Sequence, residues 1–111
     1  MSARNEIPLA IPADHPAYAG HFPGAPVLPG VVLLAWVMEA LRAAPALAAR
    51  LGPRPAIAAA KFLAPVRPGT ALAVVLRPGA DGAVGFEVRR AADDEPVAAG
   101  RLQRDAAADR R

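Results

Sequence analysis

A loop rich in proline and glycine that runs directly into an apolar helix, residues 20–44, constrains this chain most. Pro29 fits the first helical position, where its missing N–H is not needed. Pro45 ends the apolar run, and the sixteen residues between these limits would form a rod of roughly 24 Å. Glu39 and Arg42 interrupt an otherwise apolar surface. A helix apolar on every side must be covered, so the pattern predicts a helix wrapped by the remaining elements.

The composition allows one small domain. The chain has 111 residues, of which 29 are alanine and 27 are Ile, Leu, Val or Phe. That second group exceeds the roughly 20% below which disorder is expected, so a small core can form. A chain of this size buries only about two-thirds of its unfolded surface, which favours self-association. The net charge is +3 and the basic residues are scattered. This argues against a nucleic-acid interface and suits an acidic protein partner.

Several function classes are excluded or disfavoured. Cysteine is absent, which rules out disulfides and thiol nucleophiles. Ser2 is the only serine, no GxSxG motif occurs, and no glycine-rich phosphate loop is present. Two histidines without a carboxylate cluster do not predict a metal site, and no cofactor is expected. The start lacks a signal core, and no apolar run reaches the roughly 20 residues of a membrane span. We therefore expect a cytoplasmic protein without a membrane span.

The rest of the chain predicts strands joined by turns. Residues 56–64 also permit a helix because of their alanines, but closely flanking prolines favour a strand. Val84, Phe86 and Val88 alternate with polar residues or glycine, as in a half-buried strand. Pro8 assigns the first strand to a sheet edge. The predicted strands are 5–11, 56–64, 70–77, 83–90 and 97–103, with a turn at 81–82 and a short helical turn at 46–51. This segregation predicts an α+β domain with an antiparallel sheet over residues 1–103, followed by a tail over 104–111.

His21 is the strongest candidate for chemistry, whereas His15 is interpreted as a solvated loop residue. The loop that follows His21 ends at a helix start, where the N–H groups of Gly30 and Val31 lack helical partners and favour negative charge. Gly30 has no side chain, so the oxygen of a thioester could approach its N–H closely. A base near neutral pH beside such a site suits proton abstraction next to a carbonyl.

The same residues resemble a known signature. The motifs HFPG, PV and LPGV within residues 21–31 resemble those of the hot-dog-fold 3-hydroxyacyl-[acyl-carrier-protein] dehydratases, including the fatty-acid and aryl-polyene types. Lys61-Phe62 and residues 65–69 resemble a second family segment, with Thr70 where Asp is usual. The resemblance covers roughly 7–103. It implies a long helix wrapped by an antiparallel sheet, a dimer with active sites at the subunit interface, and an acyl carrier protein as partner. It also implies substrate contacts by Phe22, Pro23, Gly24, Val31, Ala35 and Trp36.

The family chemistry carries over in part. In the family, the histidine removes a proton from C2 and the glycine at the helix start polarises the thioester carbonyl, which implies these roles for His21 and Gly30. The family Glu or Asp, which helps to expel the 3-hydroxyl as water, is replaced by Ala35. Glu39, one helical turn further, is a candidate for this acid. Alternatively, Glu39 pairs with Arg42 or faces solvent, because a buried charge needs a partner.

Three hypotheses follow from the missing acid. The first is an active dehydratase whose acid comes from Glu39, water or a partner subunit. The second is an impaired subunit that pairs with an active paralogue. The third is a thioester hydrolase or binder on the same fold. Trp36 is interpreted as core or dimer packing, with the lining of an acyl tunnel as the alternative. Arg42, Arg50, Lys61 and Arg67 are candidates for carrier-protein contacts, or else solvated surface.

Overall fold

The computed structural model describes residues 5–10, 30–67 and 69–105. The elements in chain order are β1 (Asn5–Ala10), α1 (Gly30–Leu41), α2 (Pro45–Leu51), β2 (Pro55–Phe62), β3 (Ala71–Pro78), β4 (Val84–Arg90) and β5 (Pro96–Arg104). The predicted α+β class is confirmed. The last strand extends through Arg104. Residues 106–111 lie outside the described part, so the tail over 104–111 stays a prediction.

The sheet is antiparallel throughout, with the strand order β1-β3-β4-β5-β2. Strands β3, β4 and β5 follow one another along the chain and form a meander. Strand β1 lies at one edge, as Pro8 predicts, and β2 lies at the other. The connection between β3 and β4 is a short 3-10 turn, Ala80–Gly82, in which Asp81 and Gly82 have φ values of 55° and 79°. The predicted turn at these two residues is confirmed.

The core lies between the helices and one face of the sheet. On β4 the alternation predicted from sequence is confirmed, since Val84, Phe86 and Val88 are buried. Their partners on β3, by register, are Pro78, Leu76 and Val74. The helices and the residue before α2 contribute Leu33, Val37, Ala40, Leu41, Ala44, Leu47 and Leu51 to this cluster. The other members, from β3, β5 and the segment after β2, are Val66, Leu72, Val97, Ala98 and Leu102. The central meander therefore supplies the surface on which both helices pack.

The single long helix predicted from sequence is wrong at its carboxyl end. Helix α1 ends at Leu41 after twelve residues, a length of about 18 Å. Helix α2 begins at Pro45, and the two axes differ by 111°. Ala44 has φ −127° and ψ 72°, outside the helical region, because the ring of Pro45 disfavours the helical conformation in the residue before it. The predicted start at Pro29 lies outside the described residues.

No single helix in the described ranges is long and apolar enough to cross a membrane. The bent pair of α1 and α2 has the required length and hydropathy only when it is counted as one segment.

The prediction that α1 is covered on every side is also wrong for this chain. Val31, Ala35, Glu39 and Arg42 are exposed, and their spacing places them along one side of the helix and its C-terminal turn. The side chain of Val31 is 74% exposed. A single sheet can cover only one side of a helix, so the opposite side must meet solvent or another molecule.

Arg50 connects α2 to the sheet rather than facing solvent freely. Its guanidinium donates hydrogen bonds to the carbonyl oxygens of Gly79 and Ala83, at 2.9 and 3.4 Å. Its Nε is buried without a hydrogen-bond partner. Arg104 in turn donates to the carbonyl of Arg50, at 3.4 Å. Of the four basic residues considered for carrier-protein contacts, Arg50 thus has a structural role.

Candidate active site

The start of α1 provides the chemical groups of the candidate site. Gly30 is the first residue of α1, and the N–H groups of a first helical turn have no partner within their own helix. The helix dipole adds a partial positive charge at this end. His21, Phe22, Pro23 and Gly24, predicted as site residues, lie outside the described residues. The predicted site residues that the structure describes are all on α1, and they are Gly30, Val31, Ala35, Trp36 and Glu39.

A cleft of about 650 Å³ opens beside the start of α1. Its described walls are residues 30, 31 and 33 of the helix and residues 62–66, which comprise the last residue of β2 and the four residues after it. None of these described lining residues carries a charge. An apolar cleft next to a helix N-terminus suits a ligand with an apolar chain and one polar, electron-rich group. The fold thus joins the two sequence motifs, which are about thirty residues apart.

Backbone hydrogen bonds hold the second wall in place. The N–H groups of Leu63 and Ala64 both donate to the carbonyl of Val97, at 2.9 and 3.4 Å. Val97 is fully buried on β5, at a shift in the register between β4 and β5. The wall is therefore attached to the sheet beyond the last residue of β2, and its position relative to α1 is defined by the core.

Phe62 is a site residue that sequence reasoning used only as part of a motif. A Cβ atom added at Gly30 would lie 2.7 Å from Cζ of the Phe62 ring. The tip of the ring thus fills the space that a side chain at Gly30 would need. The ring remains 52% exposed, so it borders the cleft rather than the core. The sequence pattern of β2 could not predict the contact between Phe62 and Gly30, because this contact depends on how β2 and α1 pack against each other.

Ala35 and Trp36 lie along α1 at a second, smaller groove. This groove has a volume of about 360 Å³, and its described lining is Ala35, Trp36 and Glu39. Trp36 is half-buried and packs against the hydrophobic core, which agrees with the packing interpretation. Ala35 is exposed and presents a methyl group, which offers no proton. The cleft and the groove lie along the same helix. Position 35, where the family has its acid and this chain has alanine, lies between Gly30 and Glu39 on that helix.

Glu39 forms an ion pair that the sequence offered as one alternative. Its Oε1 atom lies 3.8 Å from Nη1 of Arg42, and both side chains are largely exposed. An exposed pair of this kind is weak, so Glu39 is not fixed in this arrangement. Nine residues separate Glu39 from Gly30, which corresponds to about 14 Å along the axis. A carboxylate at position 35 would lie about 6 Å closer to Gly30 than Glu39 does.

In the described part of the chain, charged residues flank the second wall of the cleft in sequence but do not line it. Lys61 and Arg67 are exposed and flank residues 62–66 in sequence. The described residues contain no group of three His, Cys, Asp or Glu side chains that could hold a metal ion. In the described part of the chain, the backbone N–H groups at the start of α1 are groups that could stabilise a negative charge.

The architecture and the cleft define a class of protein. Two helices packed on a five-stranded antiparallel sheet, with an apolar cleft at the start of the first helix, constitute a hot-dog fold. The chain belongs to the ApeI-like dehydratase family, because the family model for ApeI dehydratase matches residues 2–101. The resemblance identified from the motifs is confirmed.

Two solved structures support the fold. One is the dehydratase heterocomplex ApeI:P from Xenorhabdus doucetiae, with a TM-score of 0.70 at 24% identity over 93% of this chain and 88% of that chain. The other is an uncharacterised protein from Erwinia carotovora subsp. atroseptica, with a TM-score of 0.71 at 27% identity over 90% and 81% of the two chains. No curated protein matches the sequence.

Proposed function

We propose that this protein acts on 3-hydroxyacyl thioesters attached to an acyl carrier protein and removes water to give the trans-2-enoyl thioester. The observation that carries the proposal is the apolar cleft that ends at the N-terminus of α1. An acyl chain fits the apolar walls, and the thioester oxygen is the electron-rich group that the N–H of Gly30 would bind. Membership of the dehydratase family supports the same chemistry.

The proposed reaction uses His21 and Gly30. His21 removes the proton from C2, and the electrons of that C–H bond move toward the thioester carbonyl. The N–H of Gly30 stabilises the negative charge that develops on the oxygen, an effect worth roughly 10²–10³-fold for one such donor. The electrons then form the C2–C3 double bond as the C3–O bond breaks. The departing hydroxide needs a proton, which Ala35 cannot supply.

The missing acid supports a second candidate, an impaired subunit that pairs with an active paralogue. Ala35 lies on the exposed side of α1, where a second molecule could approach it. The structure from Xenorhabdus doucetiae is described as a heterocomplex of dehydratases, which motivates the same arrangement here. In this candidate, the active paralogue carries out the reaction. In the first candidate, Glu39, a water molecule or a partner subunit would supply the acid.

Turnover of a carrier-bound 3-hydroxyacyl thioester tests the two candidates. The purified native protein is compared with the variants His21→Ala and Ala35→Glu, and with Ala46→Glu as control, because Ala46 is an exposed alanine on α2. Enoyl product in the native protein that falls by 10²–10⁴-fold in His21→Ala supports the active dehydratase. Product in Ala35→Glu but not in the native protein or the control supports the impaired subunit.

Two further measurements separate the remaining alternatives. Release of free thiol without enoyl product would contradict the proposal and indicate a thioester hydrolase. If the chain is an impaired subunit, co-expression with a family member that retains the acid should give mixed dimers with restored turnover. Mixed dimers without turnover, together with an inactive native protein and an inactive Ala35→Glu variant, would contradict both candidates.

A further inference from the structure

The contact between Phe62 and Gly30 has a consequence for the ligand. The tip of the Phe62 ring occupies the position of a side chain at Gly30, with Cζ 2.7 Å from an added Cβ and the two adjacent ring carbons at 2.9 and 3.0 Å. These separations are shorter than real Cβ atoms allow. No methyl group fits beside the Cα of Gly30 unless the ring moves. The space next to this N–H group is therefore limited by one side chain.

The position of the ring determines which part of a thioester it would meet. An acceptor bound to the N–H of Gly30 lies about 2.9 Å from the nitrogen. The atoms nearest to that acceptor are the carbonyl carbon and its two neighbours, C2 and sulfur. The distal acyl chain extends along the remaining walls of the cleft. The ring of Phe62 would therefore contact the acyl group close to C2 rather than at the end of the chain.

We propose that Phe62 determines the specificity of this site by excluding substituents at C2, so that unbranched acyl thioesters bind and 2-methyl-branched ones do not. The inference rests on the proposed function, in which the N–H of Gly30 binds the thioester oxygen. It names the substrate class as acyl groups with an unsubstituted C2.

The attachment of Phe62 to the sheet supports a selective role. The two residues that follow it are bonded through their N–H groups to the buried Val97. The backbone of Phe62 therefore cannot retreat from α1 without loss of these hydrogen bonds. The side chain is half-exposed, so its removal would enlarge the cleft without leaving a closed cavity in the core.

Binding of unreactive analogues tests the proposal. Pantetheine carrying a butanoyl or a 2-methylbutanoyl group through an amide bond has no 3-hydroxyl to lose and resists hydrolysis. Calorimetric titration of the native protein, Phe62→Ala and Ile57→Ala gives the preference for the unbranched analogue in each. Ile57 is the control, because it lies on the same strand, is 43% exposed and does not line the cleft.

The expected preference of the native protein and of the Ile57→Ala variant for the unbranched analogue is roughly tenfold or more, a typical effect of one methyl group in a tight pocket. In Phe62→Ala the preference should fall to about threefold or less. An unchanged preference in Phe62→Ala, equal binding of both analogues by the native protein, or no binding of either would overturn the proposal.

A second measurement examines the contact itself. Gly30→Ala should lower the thermal unfolding temperature, and the added change Phe62→Ala should restore part of the loss, whereas Ile57→Ala should not. Without this rescue, the ring does not limit the space at Gly30 and the proposal is overturned. The turnover assay is independent of both measurements. Selective binding without enoyl product from the native protein would exclude the active dehydratase and leave the selectivity of Phe62 in place.

Discussion

Gly30 and Gly100 each lie against the ring of a phenylalanine. Neither has a positive φ, so a side chain at either position would be limited by space rather than by backbone conformation. A Cβ at Gly100 would lie 2.6 Å from the ring of Phe86, its partner on β4, and would collide with the carbonyl oxygen of Ala59. The ring of Phe86 therefore packs across β5 only because this position has no side chain.

Replacement of Gly100 by alanine should destabilise the fold. The added methyl group meets a buried ring and a backbone atom, so we expect a loss of about 1–3 kcal/mol in the free energy of unfolding. Gly85→Ala is the matched control, because its nearest contact would be an ordinary 3.6 Å to the flexible side chain of Arg77. Urea denaturation measures both. A loss at Gly85 equal to that at Gly100 would contradict the packing argument.

The turn between β4 and β5 contains the carboxyl group of Asp93, whose pKa is shifted. Hydrogen bonds from the guanidinium of Arg90, at 3.0 and 3.1 Å, and from the N–H of Glu95 hold the pKa of Asp93 below its ordinary value. The depressed pKa means that this interaction stabilises the turn above the ordinary Asp pKa and is lost as the pH falls through the lower folded value.

We therefore expect an NMR titration of the Asp93 carboxyl to show a midpoint below the ordinary value of 3.8. In Arg90→Gln the midpoint should move up toward that value, because the first cause of the shift is removed. Arg101→Gln is the control, since Arg101 is exposed on β5 and is not among the groups that shift the titration of Asp93. An equal change in both variants would contradict the assignment.

Sequence reasoning reached some of the site residues but not all of them. Gly30 could be predicted as a site residue because a glycine that follows a proline marks the start of a helix, where the N–H groups lack helical partners. Ala35 could be recognised as a departure because the family spacing from His21 is fixed. Phe62 could not be predicted as a neighbour of Gly30, because the contact joins residues 32 positions apart through the packing of β2 on α1.

At the scale of elements, short-range patterns predicted the strands well and the helix incompletely. Alternation and turn residues define β3, β4 and β5 because each strand meets its neighbour through a short connection. The helix was predicted too long because Ala43 and Ala44 have high helical propensity. The conformational restriction before Pro45 outweighs that propensity and turns the chain by 111°. The turn brings α2 back onto the sheet.

Helix α2 contributes to stability through its two buried leucines, Leu47 and Leu51. Leu51 is fully buried, so Leu51→Ala should lower the free energy of unfolding by about 2–5 kcal/mol, the usual cost of removing a buried leucine. Leu63→Ala is the matched control, because Leu63 is 51% exposed and should cost less than about 1 kcal/mol. Guanidinium denaturation gives both values. Similar losses would show that α2 does not anchor the core.

At the scale of the molecule, the exposed apolar surface is concentrated in one region. The large apolar side chains exposed in the described residues are Val31, at the start of α1, and Ile57, Phe62 and Leu63, on or just after β2. Strand β2 is also an edge strand, whose free backbone groups can pair with another strand. Pro8 predicted the edge position of β1, but the sequence could not reveal that β2 forms the other edge, because the order of the sheet depends on tertiary packing.

We expect this edge to support association with a second copy or a related subunit. Ala60→Lys places a charge in the middle of β2, which should shift the protein toward the monomer, since charged residues on an edge oppose strand pairing. Ala80→Lys, in the exposed turn between β3 and β4, is the control. Sedimentation velocity over a range of concentrations measures the shift. A monomeric native protein, with or without a family partner, would contradict the prediction.

The order of the strands also has a consequence for folding kinetics. Pairing within β3, β4 and β5 closes short loops, whereas β1 reaches β3, and β2 reaches β5, across much longer stretches of chain. Closing a long loop costs more conformational entropy than closing a short one, and this slows folding. The meander is thus the expected folding nucleus, and the two outer strands should join after the transition state. Substitutions in β2 should then accelerate unfolding and leave the refolding rate almost unchanged.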